Sequence, residues 1–212
     1  MNEYGGKSIP FLFIFDFELM KPIVLQLHEL DSSLIRYAIE DDFIAYRNYD
    51  YSQKQQVDFS LQKSPLAFDR YEKAFKIVKE NLNFGNSFLT NLTAETPIQI
   101  NCDLQDLLEL TTAKYKIWIK DQLMCFSPET FVQINKNGTL SSFPMKGTIN
   151  ASARNAEEQI LADEKERYEH TTIVDLIRND VSRVAKKVWV ERFRYIERVK
   201  KEDGSEQSIK RQ

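Results

Sequence analysis

Cysteine and histidine are scarce in this chain, with two of each among 212 residues. Cys102 and Cys125 make no disulfide framework, and each reads as a buried thiol of a reducing compartment. With only His28 and His170 beside them, no Cys/His zinc site can be assembled. A basic excess is lacking too. Lys and Arg total 29 against 32 Asp and Glu, a net charge of −3, so a nucleic-acid reader is disfavoured for want of charge to neutralise phosphates. No long apolar run exists. Ile9 to Phe15 is broken by Pro10 and ended by Asp16, whereas a membrane span needs about 20 apolar residues. The start shows no basic region with a small-residue cleavage site, so no signal peptide is expected. A soluble, cytoplasmic protein is the expectation. No Gly-rich phosphate loop and no nucleophile elbow occurs, and His170 has no evident Ser or Cys partner for a hydrolase triad.

What is present is core material. The hydrophobic fraction is 42 %, with 14 Phe, 9 Tyr and 2 Trp. That excludes disorder as the main state and makes one globular domain the default, with two small ones possible. Phe11–Phe15 and Ile23–Leu27 read as strands, and Phe43–Tyr49 as a third. Asp50–Ser64 is polar and reads as a linker or surface loop. A helix follows, capped by Asp69, with Tyr71, Ala74, Phe75, Val78 and Leu82 on one face and a left-handed stop at Gly85. Ser87–Ile100 is β-rich, and Leu104–Leu110 a short helix. Lys114–Met124 alternates Tyr115, Ile117 and Ile119 against a polar face that carries Trp118. Lys136-Asn137-Gly138 predicts a hairpin joining 130–135 to 139–143. Ala151 to about Asp180 reads as one long charged helix, and Val188–Ile196 as a strand. From Lys200 the chain becomes a polar, solvated tail. The last strand is then left without a partner, an open edge that proteins normally protect.

Three constellations invite chemistry, each with a bland counterpart. Lys146, in Pro144-Met145-Lys146-Gly147-Thr148, sits at a strand end where desolvation would free its amine as a nucleophile; the bland reading is a surface lysine in a turn. Glu129, in Ser127-Pro128-Glu129-Thr130, is aimed by Pro128 and suits a general acid, or else faces water at a strand start. Glu166, Glu169, His170 and Asp175 share the long helix. Glu166 and Glu169 lie on one face at i, i+3, an arrangement suited to Mg²⁺ or simply to a solvated charged helix.

Taken together, these blocks resemble the chorismate-utilising enzymes: anthranilate, aminodeoxychorismate and isochorismate synthases. Asn91-Leu92-Thr93, Ser127-Pro128-Glu129-Thr130-Phe131, Pro144-Met145-Lys146-Gly147-Thr148 and Glu169-His170 with Ile173-Val174-Asp175-Leu176-Ile177-Arg178-Asn179-Asp180-Val181 appear in the family's order. The resemblance implies an α+β fold of antiparallel sheets sandwiched with helices. It implies that residues 1–199 form the N-terminal part of the catalytic domain, with 200–212 a tail, so that the fold here is incomplete. Lysine at 146, where anthranilate synthases typically carry alanine, resembles the members that aminate chorismate for 4-aminobenzoate and folate synthesis. By that resemblance Lys146 is the nucleophile and Glu129 the general acid. Glu169 binds Mg²⁺, while Gly147, Thr148 and His170 contact substrate, a packing role for His170 staying open. Ammonia comes from a separate glutaminase subunit. Leu89 and Thr90 stand before Asn91 where the family often has Gln. The second Mg²⁺-binding Glu and the carboxylate-gripping segments of the family do not occur in these residues. An inert or partner-binding fragment, or an anthranilate synthase-like protein, is the alternative.

Overall fold

The computed structural model describes residues 1–40, 45–50, 59–88, 90–111, 113–127, 129–145, 147–200 and 206–211. In chain order these form α1 (Asn2–Gly6), β1 (Phe11–Ile14), β2 (Ile23–Gln26), β3 (Ile35–Glu40), β4 (Ala45–Arg47), β5 (Leu61–Lys63), α2 (Phe68–Phe84), β6 (Ile98–Ile100), α3 (Leu104–Leu110), β7 (Tyr115–Ile119), β8 (Leu123–Ser127), β9 (Val132–Ile134), β10 (Leu140–Ser142), β11 (Thr148–Ile149), α4 (Ala156–Ala162), α5 (Glu164–Ser182), β12 (Ile196–Lys200) and β13 (Glu206–Arg211). This is a mixed α+β chain in which every described strand pairing is antiparallel. It divides into two compact units, residues 1–50 with 111–212, and residues 51–110.

The larger unit is built on a four-stranded sheet of order β4-β3-β7-β8. Ile35 faces Ile119 and Tyr37 faces Ile117 on one side, while Arg36 faces Trp118 and Ala38 faces Lys116 on the other. An inner strand is covered on both faces more easily than an edge strand, and here both alternating sets go under cover. Ile35, Tyr37, Ala38, Trp118, Ile119 and even Lys116 are buried. The polar face predicted for 114–124 is therefore an interior one. It tolerates its charges because they are engaged. The Lys116 ammonium donates to the Thr111 carbonyl at 2.8 Å. The Arg36 guanidinium donates to the Ser32 carbonyl at 3.0 Å and lies 5.9 Å from the Trp118 ring and 5.6 Å from that of Tyr49. Among the described residues β4 pairs with residues 38–40 of β3. The Asn48 amide extends that edge by accepting from Tyr37 N–H and donating to the Ile35 carbonyl. Burial pushes the Tyr37 phenol pKa above its ordinary value, with Tyr46 adding to the shift.

β9 and β10 form the predicted hairpin, Ile134 opposite Leu140. Its loop is stapled by Asn135, whose side chain accepts from Asn137 and Thr139 N–H, with Gly138 in the left-handed region. The long helix predicted from residue 151 is two. Asp163, in extended backbone, ends α4 and caps α5 by accepting from Glu166 N–H at 3.0 Å. α4 buries Ala156 and Ile160 against Ile149, Ala151, Ala153 and Ile196.

Two expectations near the end fail. Residues 188–195 form no strand; β12 begins at Ile196, after Arg194 takes a left-handed conformation (φ 56°) that interrupts an extended run. The edge left open by the sequence reading is filled, because β13 lies between β11 and β12. Ladder hydrogen bonds come from the backbone, so a polar composition does not forbid a strand.

In the smaller unit α2 runs as predicted to a left-handed Gly85 (φ 89°), but it starts at Phe68 with Ala67 at its cap, leaving Asp69 within the first turn. α3 matches the predicted helix. β5 pairs with β6, and of the β-rich stretch 87–100 only Ile98–Ile100 is a strand among the described residues.

Candidate functional site

The residues singled out in the larger unit sit on three pieces of structure: the end of β8, the turn before β11, and the first turns of α5. At the first, the Ser127 hydroxyl accepts from Glu129 N–H at 3.1 Å, and the Thr130 hydroxyl is bonded to that of Tyr115. The backbone of Glu129 is thereby held between two anchored neighbours while its side chain stays exposed. Pro128 and Lys146 lie outside the described residues.

The turn before β11 is defined by Gly147, at φ 76°. A Cβ there would stand 2.7 Å from Glu166 Oε2 and 3.1 Å from its Cδ. Glycine is thus required twice, by backbone conformation and by the carboxylate that occupies its side-chain space. Glu166 Oε2 is buried and has no hydrogen-bond partner among the described residues. An acceptor left in that condition costs about 1–3 kcal/mol. Thr148 begins β11, opposite Lys210 of β13, and is exposed.

On α5, Glu169 lies one turn beyond Glu166. Its Oε1 is 3.4 Å from the Lys165 ammonium and its side chain is 43 % exposed. Among the described residues no group of three or more His, Cys, Asp or Glu could hold a metal ion. The donor available is a hard, solvent-accessible carboxylate, which fits a cation such as Mg²⁺ that takes one or two carboxylates and keeps its waters. His170 is fully buried, its ring 5.3 Å from that of Phe193. Packing against an aromatic is the half of its two expected roles that the geometry displays.

The structure therefore brings together the turn at 147 and the helix of Glu166, Glu169 and His170. Glu129 stands on a separate piece of the same unit, just beyond β8. The Asn91–Thr93 block belongs to the smaller unit. An open groove of 710 Å³ follows another face of α5, along Tyr168, Thr172, Asp175, Asn179 and Ser182; neither Glu169 nor His170 lines it. Two neighbours of the site escaped the sequence reading. Phe193 covers His170, and Arg194 reaches back to donate to the Leu161 carbonyl, its Nε buried without a partner among the described residues. No local motif marks either residue, since both contacts bridge more than twenty positions.

Comparison with known proteins gives these positions a context. An uncharacterized PabA-like protein of Haemophilus influenzae is 43 % identical over 203 residues, covering 96 % of this chain and 60 % of that protein. Another, from Pasteurella multocida, is 40 % identical over 205 residues, covering 96 % and 62 %. Aminodeoxychorismate synthase component 1 of Bacillus subtilis is 32 % identical over 152 residues, covering 64 % of this chain and 32 % of that protein. The chain thus spans about 60 % of the length of the two PabA-like relatives. No solved structure matches it significantly. The family described as chorismate binding enzyme matches residues 13–201, and the chain belongs to that family.

Proposed function

We propose that the chain carries the lysine-bearing half of an aminodeoxychorismate synthase site, which replaces the C4 hydroxyl of chorismate with an amino group. The observation that carries this reading is the close approach of Gly147 to Glu166 of α5, the helix that also carries Glu169 and His170. The similarity to the Bacillus subtilis aminodeoxychorismate synthase component supports it.

The Lys146 amine attacks C2 of the chorismate ring, the ring double bonds shift, and the C4–O bond breaks. Hydroxide is a poor leaving group, so Glu129 gives its proton to the departing oxygen, which leaves as water. Ammonia, delivered by a separate glutaminase subunit, then adds at C4; the double bonds shift back and the lysine is expelled from C2. Nucleophilic catalysis of this kind splits one difficult substitution into two easier ones. Gly147 and Thr148 line the turn on which the substrate rests. His170, packed on Phe193, holds the α5 backbone beside it. Glu169 would hold Mg²⁺, which would supply positive charge to offset a substrate carboxylate.

The test is direct. Protein is incubated with chorismate, Mg²⁺ and excess ammonium, and the products are separated by chromatography. The reading predicts aminodeoxychorismate, lost on Lys146→Ala. Anthranilate as the product, or an undiminished yield from Lys146→Ala, would overturn it.

A further inference from the structure

Glu129 stands just past β8, where the chain leaves the four-stranded sheet, and its side chain is exposed. A general acid must come within hydrogen-bond reach of the atom it protonates, and a misplacement of about 1 Å can cost about a hundredfold in rate. The segment around Glu129 is tied down accordingly. Residues 129 to 131 each meet one side-chain hydroxyl. Glu129 N–H donates to the Ser127 hydroxyl at 3.1 Å, the Thr130 hydroxyl is bonded to the Tyr115 phenol, and the Phe131 carbonyl accepts from the Ser142 hydroxyl at 2.9 Å. The three anchors are not equivalent. Ser127 is the last residue of β8, part of the departing segment itself, and Ser142 belongs to the two-stranded β9-β10 hairpin. Tyr115 lies on β7, an inner strand, opposite Ile39 of β3 on one side and Ser127 of β8 on the other. Its phenol reaches past Ser127 and takes hold of the chain beyond Glu129. Backbone paired on both sides is the firmest support the sheet offers, and groups held from such elements are placed more precisely than groups on loops.

We propose that Tyr115 is a positioning residue for Glu129: from β7 its phenol clamps Thr130 and so fixes the backbone that must bring the Glu129 carboxyl to the departing oxygen. The inference rests on the reading of Glu129 as the general acid, but the clamp can be observed without turnover. The hydroxyl alone makes the contact. Tyr115→Phe keeps the ring between its strand neighbours and leaves Glu129 in place, while releasing Thr130. Ground-state binding of substrate does not depend on this bond, whereas proton delivery in the transition state does.

The experiment combines kinetics with hydrogen exchange on the whole chain. With chorismate, Mg²⁺ and ammonium, Tyr115→Phe is expected to lose about tenfold in kcat with little change in KM. The solvent deuterium isotope effect on kcat is expected to rise, because proton delivery becomes the slower step. Thr130→Val is expected to match that loss, Thr130→Ser, which keeps the hydroxyl, to recover most of it, and the double variant Tyr115→Phe with Thr130→Val to be no worse than either single one. In mass-spectrometric hydrogen exchange the peptide carrying residues 129–131 is expected to exchange roughly fivefold faster in Tyr115→Phe, with β7 unchanged. Equal exchange of that peptide in wild type and Tyr115→Phe would overturn the clamp. Wild-type kcat in Tyr115→Phe beside an inactive Glu129→Gln, or additive losses in the double variant, would overturn the positioning role. Undiminished amination by Glu129→Gln would overturn the reading of Glu129 as the acid, and the role of Tyr115 with it, while the exchange result would still report the clamp.

Discussion

In the four-stranded sheet, charge that goes under cover is met: Lys116 by the Thr111 carbonyl, Arg36 by the Ser32 carbonyl and the Tyr49 and Trp118 rings. The segment from 147 to 194 differs. Glu166 Oε2 and Arg194 Nε are buried without partners among the described residues, Gly147 and Arg194 hold left-handed backbone, and α4 is backed by a core of two buried residues. Both regions belong to one compact unit. The contrast separates roles. Satisfied polar groups specify a scaffold, whereas strain and unmet hydrogen-bonding capacity persist where the surroundings are kept for something to act on.

That contrast can be broken by mutation. The largest effect on stability belongs to the sheet. Trp118→Ala removes a buried ring and the platform for Arg36, and is expected to cost about 3–5 kcal/mol in urea unfolding; a loss below about 1 kcal/mol would deny the sheet its role as scaffold. Ile160→Ala, in the smaller α4 cluster, is expected to cost about 2 kcal/mol, at the low end for such a truncation because partly exposed neighbours can close on the gap. Glu166→Met should move stability the other way, by about 0.5–1 kcal/mol upward, since it removes an unsatisfied acceptor at similar volume. A destabilised Glu166→Met would place Glu166 with the scaffold instead.

The smallest effect is one of pH. Asp31, in the turn leading into β3, has its carboxyl held below the ordinary 3.8 by the Ser33 side chain first and the Ser33 N–H second. Its folded value is depressed, so its contribution is fully present above the unfolded value and is lost as pH falls through the lower folded one. Asp31→Asn should flatten the stability profile in that acid window only, as followed by thermal unfolding between pH 2 and pH 5 (from about two units below to about one unit above an ordinary carboxylate). An unaltered acid limb would remove Asp31 from the account.

Much of this was legible where the cause is local. The hairpin could be read because Asn137-Gly138 carries the turn in its own backbone preferences, and α2 because its apolar spacing ends at Gly85. The family resemblance could be read because its sequence blocks stand in the family's order, and the family match agrees. What could not be read depends on partners distant in the chain. Trp118 looks like a residue on a polar face until β3 and β8 flank its strand. Asn48 looks like a loop residue until it continues the β3 edge. The 206–211 strand is hidden by its polar composition, and the Gly147–Glu166 contact spans nineteen positions that no periodicity connects. Lys146, on which the proposed chemistry turns, lies outside the described residues and is found by motif alone.

The most direct measurement is therefore on that lysine. Protein is mixed with chorismate and Mg²⁺ without any ammonia source, quenched, digested and searched by mass spectrometry. The account predicts that the peptide containing Lys146 gains the mass of chorismate less one water, and that ammonium added before the quench removes it. Chorismate consumed with no adduct on Lys146, or an adduct that persists in Lys146→Ala on another residue, would contradict it.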